Sequence, residues 1–113
     1  MYESILGSIK KLLGINELDT SFDADIIMHI NTILGVLCQI GVGPEKPFMI
    51  KSDQEIWCDF LEDPSQLEMV KSHIFLRVQQ LFDPSGSNQV LESQKNLINE
   101  LEWRMFVETD END

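Results

Sequence analysis

The chain has 113 residues, a length typical of a single domain. Apolar residues make up 42% of it and charged residues 25%, which excludes a disordered acidic tail and allows a core without metal or disulfide. Its 20 acids against 8 bases give a formal net charge of −12, which excludes a general electrostatic attraction to phosphate backbones or anionic lipid.

The N-terminal segment predicts one short amphipathic helix. Ile5, Ile9 and Leu12 recur at helical spacing, and Gly14 is placed to end a helix of about a dozen residues. The segment lacks the basic flank and continuous apolar run of a signal peptide. No apolar run approaches the roughly 20 residues of a membrane span, so we expect no membrane association.

A second, longer helix is predicted to be the most buried element. Thr20 and Asp23 match a capping box at its start, and a wide apolar stripe continues to Gly41. Gly35 inside this helix costs about 1 kcal/mol relative to alanine, which suggests a close approach of a neighbouring helix.

An irregular loop follows the second helix. Residues 41–47 contain two glycines and two prolines, and the spacing of apolar residues over 56–61 predicts a short helix capped by Ser52 or Asp53. Large apolar side chains on such a connection either pack into the core or contact a partner, and both alternatives stay open. The candidate partner contacts here are Phe48, Met49, Ile50, Trp57 and Phe60.

Two more main helices complete the chain. Asp63 and Pro64 are typical of a helix start, and residues 83–87 separate this helix from the last one. The sequence therefore predicts an all-α fold, a small bundle of four main helices plus one short helix with an irregular loop between helices 2 and 3. Residues 1–107 form the domain, and residues 108–113 form an acidic, mobile tail.

The end of the last helix is rich in large side chains. Trp103, Arg104 and Phe106 are candidate partner contacts, because Trp and Arg at an exposed terminus often anchor interfaces. Helix packing is the alternative for the same residues.

No residue pattern predicts catalysis, a metal site or a cofactor. His29 and His73 have no partner at metal-ligand spacing, and Cys38 and Cys58 lie 20 residues apart without a CxxC pair. We expect two reduced, partly buried thiols, with a disulfide as the alternative.

The negative charge is concentrated in two places. Residues 53–68 contain six acids and no base, and residues 108–113 contain four acids. The first group is a candidate acidic channel or surface patch, formed by Asp53, Glu55, Asp59, Glu62 and Asp63.

Several short phrases resemble the small head–tail connector proteins of tailed phages, also called head-completion or neck adaptor proteins. These phrases are Leu12-Leu13-Gly14-Ile15, Phe22-Asp23-Ala24-Asp25-Ile26, the run 70–78 and Gln80-Leu81-Phe82-Asp83-Pro84. The resemblance covers roughly residues 3–107. The aromatic segment 48–60 departs from the simplest members, because it is longer.

The resemblance implies a four-helix domain in the virion neck, made in the host cytoplasm during assembly. It implies a homo-oligomeric ring, by analogy of twelve copies, that docks on the portal protein and offers a platform to a stopper or tail-completion protein. DNA would pass through the channel without specific binding, and no reaction is implied. Lys10, Lys11, Lys71 and Arg77 would then face an acidic neighbour.

A different function follows from the charge alone. A small acidic phage protein can inhibit a host protein by imitating DNA. Such a protein needs carboxylates at phosphate-like intervals along a surface, whereas here they are concentrated in one segment and one tail.

Overall fold

The computed structural model describes residues 1–82 and 88–112, with side chains for residues 1–82 and 89–107. Within these ranges the chain is all-α and has no strand, which confirms the predicted bundle of four main helices and one short helix. The elements are α1 (Ile5–Leu12), α2 (Asp23–Ile40), α3 (Trp57–Phe60), a 3-10 turn (Pro64–Gln66), α4 (Leu67–Phe82) and α5 (Asn88–Asn112).

Helix α1 is short and strongly amphipathic. The Ser4 hydroxyl accepts a hydrogen bond from the Gly7 amide at 3.0 Å and caps the helix start. One face is buried through Ile5 and Ile9, and Gly14 adopts a φ of +79° just beyond the helix end. The predicted stop at Gly14 is confirmed, although the helix itself is shorter than a dozen residues.

Helix α2 starts two residues later than a capping box at Thr20 predicts, with Phe22 as its N-cap. No side chain caps its N-terminus, so the predicted capping box is wrong. The Asp23 carboxylate instead lies 2.8 Å from the Lys10 ammonium on α1, and the Asp23 amide donates to the Thr20 carbonyl. At the other end Gly41 has a φ of +99°, the left-handed cap that glycine favours.

Helix α2 forms the centre of the core and packs against α1, α4 and α5. Its fully buried side chains are Ile26, Ile30, Ile33, Leu34 and Leu37. By length and composition alone α2 would suffice to cross a membrane, but this stripe is covered by the other helices. Gly35 is exposed, and no heavy atom outside its own helix backbone lies within 4 Å of the position of an added Cβ, so the predicted close helix approach there is wrong.

Helix α3 is a single turn set into the long connection between α2 and α4. The Asp59 carboxylate accepts a hydrogen bond from the Ile56 amide at 3.0 Å and so stabilises the turn. The predicted caps Ser52 and Asp53 lie upstream and do not serve α3, because the helix begins only at Trp57.

The start of α4 follows the predicted pattern with one addition. The Asp63 carboxylate accepts from the Ser65 amide at 2.9 Å, and Pro64 is the first residue of a 3-10 turn that leads into α4. Helix α4 then buries Val70, Ile74 and Val78 against α2, α1 and α5.

Helix α5 is the longest element and the least buried. It packs on α4 and α2, and among its described side chains only Ile98 and Met105 are fully buried. The predicted turn at 83–87 and the side chains of the predicted tail 108–113 lie outside the described residues. Most of the described surface of α5 therefore remains open to solvent.

Candidate interaction surfaces

The aromatic loop segment packs into the core of the single chain. Ile50, Trp57 and Phe60 are 1%, 0% and 3% exposed, so their side chains offer no contact area to a partner in this conformation. Phe48 is half-buried, with its ring 5.4 Å from that of Phe60. Met49 is the exception at 63% exposure. Of the two alternatives for this segment, packing into the core therefore applies to Ile50, Trp57 and Phe60.

Hydrogen bonds from distant residues fix this segment in place. The side-chain amide of Asn31 on α2 donates to the Ile50 carbonyl at 2.9 Å and accepts from the Ile50 amide at 2.8 Å. The Trp57 indole donates to the Ser8 hydroxyl on α1 at 3.1 Å. Ser4 also forms an isolated bridge with Ile56. No local pattern signals these contacts, because the partners lie 19 to 52 residues apart in sequence.

Gly43 shows how closely the loop approaches the core. It has a φ of +93°, and an added Cβ would lie only 2.4 Å from the Phe60 ring. Only glycine fits this position, because both the backbone conformation and the space exclude a side chain.

The C-terminal aromatic residues, in contrast, are exposed. Trp103 is 65% exposed and Phe106 49%, and their rings stack at a centroid distance of 6.4 Å. We call these two residues the α5 aromatic pair. Arg104 is also exposed, and its guanidinium lies 2.6 Å from the Glu100 carboxylate one turn earlier. The three C-terminal candidate contacts are thus all exposed, and the structure brings two of them, Trp103 and Phe106, into contact.

The predicted acidic residues are exposed or half-buried, but several of them stabilise local turns. Glu55 accepts from the Lys51 and Ser52 amides, at 2.9 and 3.2 Å. Burial opposes its ionisation, but these backbone N–H groups outweigh that effect and hold the pKa of Glu55 below its usual value.

Asp59 and Asp63 cap helix starts in the same segment. The Ser65 amide at that cap lowers the pKa of the Asp63 carboxyl. Asp53 and Glu62 are exposed. The spacing of Glu55, Asp59 and Asp63 therefore follows the turns of the backbone, although the segment still presents negative charge to solvent.

Three of the four basic residues expected to face an acidic neighbour have partners inside the chain. The Lys10 ammonium is buried and contacts the Glu17 carbonyl, the Asp19 carbonyl and the Asp23 carboxylate at 3.3, 2.7 and 2.8 Å. It ties α1 to the turn before α2 and to α2 itself. The expectation that Lys10 faces a neighbour is wrong, because these contacts enclose its charge.

Of the other three basic residues, two are paired inside the chain and one is exposed. Lys71 on α4 lies 3.5 Å from the Glu3 carboxylate, and Arg77 on α4 pairs with Glu102 on α5. Lys11 is exposed. Only Lys11 of the original four presents its charge as the sequence suggested.

A buried polar cluster joins α4 to α5. His73 is fully buried, and its Nε2 lies 2.9 Å from the Glu102 Oε1 atom, which Arg77 also contacts. Because an ionised carboxylate only accepts, His73 carries its hydrogen on Nε2. Its Nδ1 is buried without a hydrogen-bond partner in the described part of the chain. Sequence reasoning missed this cluster, since His73 and Glu102 lie 29 residues apart.

The protonation of this cluster follows from its burial and its hydrogen bonds. Burial lowers the pKa of His73, and the Glu102 carboxylate offsets only part of that shift. Burial also opposes ionisation of Glu102, but His73 and Arg77 outweigh it and lower the pKa of the carboxyl. At neutral pH the pair is therefore a neutral imidazole and a carboxylate, and their hydrogen bond links α4 to α5.

An open groove of about 630 Å³ lies beside α1. Its walls include Lys10, Lys11, Glu17, Asp23 and Asp53. Lys10 and Asp23 already pair with each other there, so the groove provides no unpaired buried charge for a ligand. Across residues 1–82 and 89–107, no group of three or more His, Cys, Asp and Glu side chains is placed to hold a metal ion. Cys38 and Cys58 are free thiols, both half-buried.

Comparison with known proteins gives the family. No curated protein and no solved structure is similar enough to the chain to count as a match. The family model described as "Phage connector protein" matches residues 5–112, nearly the whole chain. The chain therefore belongs to the phage connector protein family, a structural family of bacteriophages.

Proposed function

We propose that this protein is a structural component of the virion neck. In this role copies of the chain form a ring that docks on the portal protein, joins the DNA-filled head to the tail and extends the DNA channel. The observation that carries the proposal is the family match over residues 5–112. The α5 aromatic pair supports it, because exposed stacked rings are typical of a protein that works by contact with partners.

The proposed assembly contains twelve copies of the chain, with a stopper or tail-completion protein on the side away from the portal. A ring interface is heterologous, so each copy must present two different surfaces to its neighbours. Met49 and the α5 aromatic pair are exposed candidates for such contacts, together with Arg104. Catalysis has no part in this function.

We also propose that the acidic segment 53–68 faces the channel. Asp53, Asp59, Glu62 and Asp63 are exposed on it. Negative charge on a channel wall repels the phosphate backbone, so DNA would pass without adhering. The same residues give less support to DNA imitation, because the positions of Asp59 and Asp63 are set by helix caps rather than by phosphate spacing.

The test is deletion of the gene in its own phage, with complementation from a plasmid as the control. We expect DNA-filled heads and tails that do not join, infectivity restored by the plasmid, and the protein present in wild-type particles. Electron microscopy of the purified chain bound to the portal protein should show a twelvefold ring. Normal infectious particles that lack the protein would contradict the proposal.

A further inference from the structure

Helix α5 contributes little to the hydrophobic core. Among the described residues the core cluster contains 17 buried side chains, and Met105 is its one member from α5. The other 16 lie between Ile5 and Val78. Ile98 on α5 is also buried, but it lies outside that cluster. The core formed by α1 to α4 would therefore stay almost complete if α5 moved away.

The contact between α4 and α5 contains a band of polar side chains, which we call the polar seam. Its members are His73, Arg77 and Gln79 on α4 and Gln94 and Glu102 on α5. The Glu102 carboxylate accepts from His73 Nε2 at 2.9 Å and also from Arg77. The Gln94 side-chain amide donates to the side-chain carbonyl of Gln79 at 2.9 Å. Because Gln94 and Glu102 lie eight residues apart, the seam extends about 12 Å along α5.

The polar seam leaves several buried polar atoms unpaired. His73 Nδ1, Arg77 Nε and Gln94 Oε1 are buried and have no hydrogen-bond partner in the described part of the chain. The corresponding buried oxygen of Asp23, outside the seam, lies 2.8 Å from the Lys10 ammonium and is compensated by that charge. Water would bond to the three seam atoms if α5 moved away, so the docked helix forgoes those bonds.

Helix α1 shows how differently another outer helix of the bundle is held. It has 8 residues, of which Ile5, Leu6 and Ile9 belong to the core cluster, and its Lys10 ammonium contacts three oxygen atoms. Helix α5 has 25 residues and supplies one member of that cluster. A helix with few buried apolar contacts and unpaired buried polar atoms is the part of a fold that opens at the lowest free energy.

We propose that α5 is a latch, which detaches from α4 and α2 as one unit while α1 to α4 stay folded, and that the polar seam sets how often it detaches. The free chain then has a closed form, in which His73 and its side of α4 are covered, and an open form, in which they are accessible. This inference goes beyond the proposed function, because it concerns the isolated chain and depends on neither a ring nor the portal.

The test is native-state hydrogen exchange of the full chain at neutral pH, followed by mass spectrometry of peptides. Peptides from residues 94–105 report on the middle of α5, and peptides from residues 30–37 of α2 report on global unfolding. We expect the amides of 94–105 to exchange at least about 100-fold faster than those of 30–37, at one common rate. Peptides from residues 70–78 of α4 should remain as protected as those of α2.

A pair of variants tests the role of the seam. Glu102→Ala removes the acceptor of His73 and Arg77 and should accelerate exchange in α5 about tenfold, with the rate in α2 unchanged. Glu100→Ala is the matched control, because Glu100 is exposed on the same helix and pairs only with Arg104 among the described ion pairs. It should change exchange in α5 by less than about threefold.

A third variant should close the latch more firmly. Gln79→Met/Gln94→Met keeps the shape of both side chains and removes the unpaired Gln94 Oε1 atom. Exchange in α5 should slow about threefold, because an apolar pair of the same shape needs no hydrogen bonds. This variant decides the role of the seam if Glu102→Ala does not fold, and circular dichroism shows which variants are folded.

Four outcomes would overturn the inference. The first is exchange in α5 as slow as in α2, which means that α5 opens only when the whole chain unfolds. The second is a gradient of rates that increases toward the C-terminus while 94–98 stay protected, which is fraying of the helix end. The third is Glu102→Ala accelerating α2 and α5 by the same factor. The fourth is exchange in α5 that is unchanged or faster in Gln79→Met/Gln94→Met.

Discussion

Two segments of this chain carry similar side chains, but one is buried and the other is exposed. Residues 48–60 and residues 103–106 both combine large aromatic and aliphatic groups outside an obvious apolar stripe. In the first segment Trp57 is fully buried, whereas in the second Trp103 is 65% exposed. The composition of a segment therefore does not decide whether its aromatic residues belong to the core.

The difference in burial comes from the contacts that other parts of the chain make with each segment. The loop segment is covered because Asn31, Ser8 and Ser4 bond to it from α2 and from the N-terminal region. Helix α5 is held along one stripe only, by Ile98, Met105 and the His73–Glu102 bond. Outside that stripe Trp103 and Phe106 remain exposed, and no other helix in the described part of the chain covers them.

The largest expected effect tests the comparison directly. Trp57→Ala should lower the free energy of unfolding by about 3–5 kcal/mol, because it leaves a large cavity and removes the hydrogen bond from the indole to Ser8. Trp103→Ala, the matched control, should change it by less than about 0.5 kcal/mol. Urea unfolding of both variants measures the two values. Equal losses of unfolding free energy would show that Trp57 and Trp103 do not differ in their contribution to the core.

The next effect concerns the contact that connects α1 to α2. Lys10→Met should destabilise the fold by about 2 kcal/mol, since it removes the cation shared by the Asp23 carboxylate and two carbonyl groups. Lys11→Met next to it is exposed and should be nearly neutral. Thermal unfolding compares the pair, and a neutral Lys10→Met would contradict the assignment of Lys10 to the core.

A pair of glycines tests how tightly the loop packs. Gly43→Ala should destabilise by about 1 kcal/mol or more, because its φ is +93° and the Phe60 ring occupies the space of the new methyl group. Gly35→Ala, in the open middle of α2, should stabilise by up to about 1 kcal/mol. The two changes are chemically identical, so opposite signs in urea unfolding isolate the effect of the environment.

The smallest effect is a pH dependence of the link between α4 and α5. The pKa of His73 is lowered in the folded chain, so the unfolded chain takes up a proton first as the pH falls below about 6.5. The contribution of His73 to the free energy of unfolding is thus fully present above that pH and declines on acidification. The lowered pKa of Glu102 extends this decline to lower pH. His73→Gln, which keeps a donor for Glu102 but does not titrate, should flatten the decline between pH 7 and 5.

The measurement is the urea midpoint of both proteins at a series of pH values. His29→Gln is the control, because His29 is only half-buried and lies on α2, outside the bond between α4 and α5. A wild-type midpoint that rises between pH 7 and 5, or a His73→Gln curve as steep as that of the wild type, would contradict the role given to this cluster.

The sequence by itself determined the helices, their order and most of their ends. It did so because apolar periodicity, a left-handed glycine at Gly41 and the Asp63–Pro64 start are local signals that act within one or two turns. The prediction from sequence failed at the start of α2, because Asp23 pairs with Lys10 and does not complete a capping box with Thr20. The phrases that resemble phage connectors also lie within single segments, so the family could be inferred from the sequence alone.

Only the tertiary structure decided which residues are available to a partner. The burial of Trp57, the enclosure of Lys10 and the pairing of His73 with Glu102 each depend on residues distant in sequence. The exposure of Trp103 and Phe106 depends on the same geometry, because α5 can be covered only on the side that faces α4 and α2. The exposed surface consists of the residues that packing leaves uncovered. Packing depends on contacts between elements distant in sequence, which a local sequence pattern does not reveal.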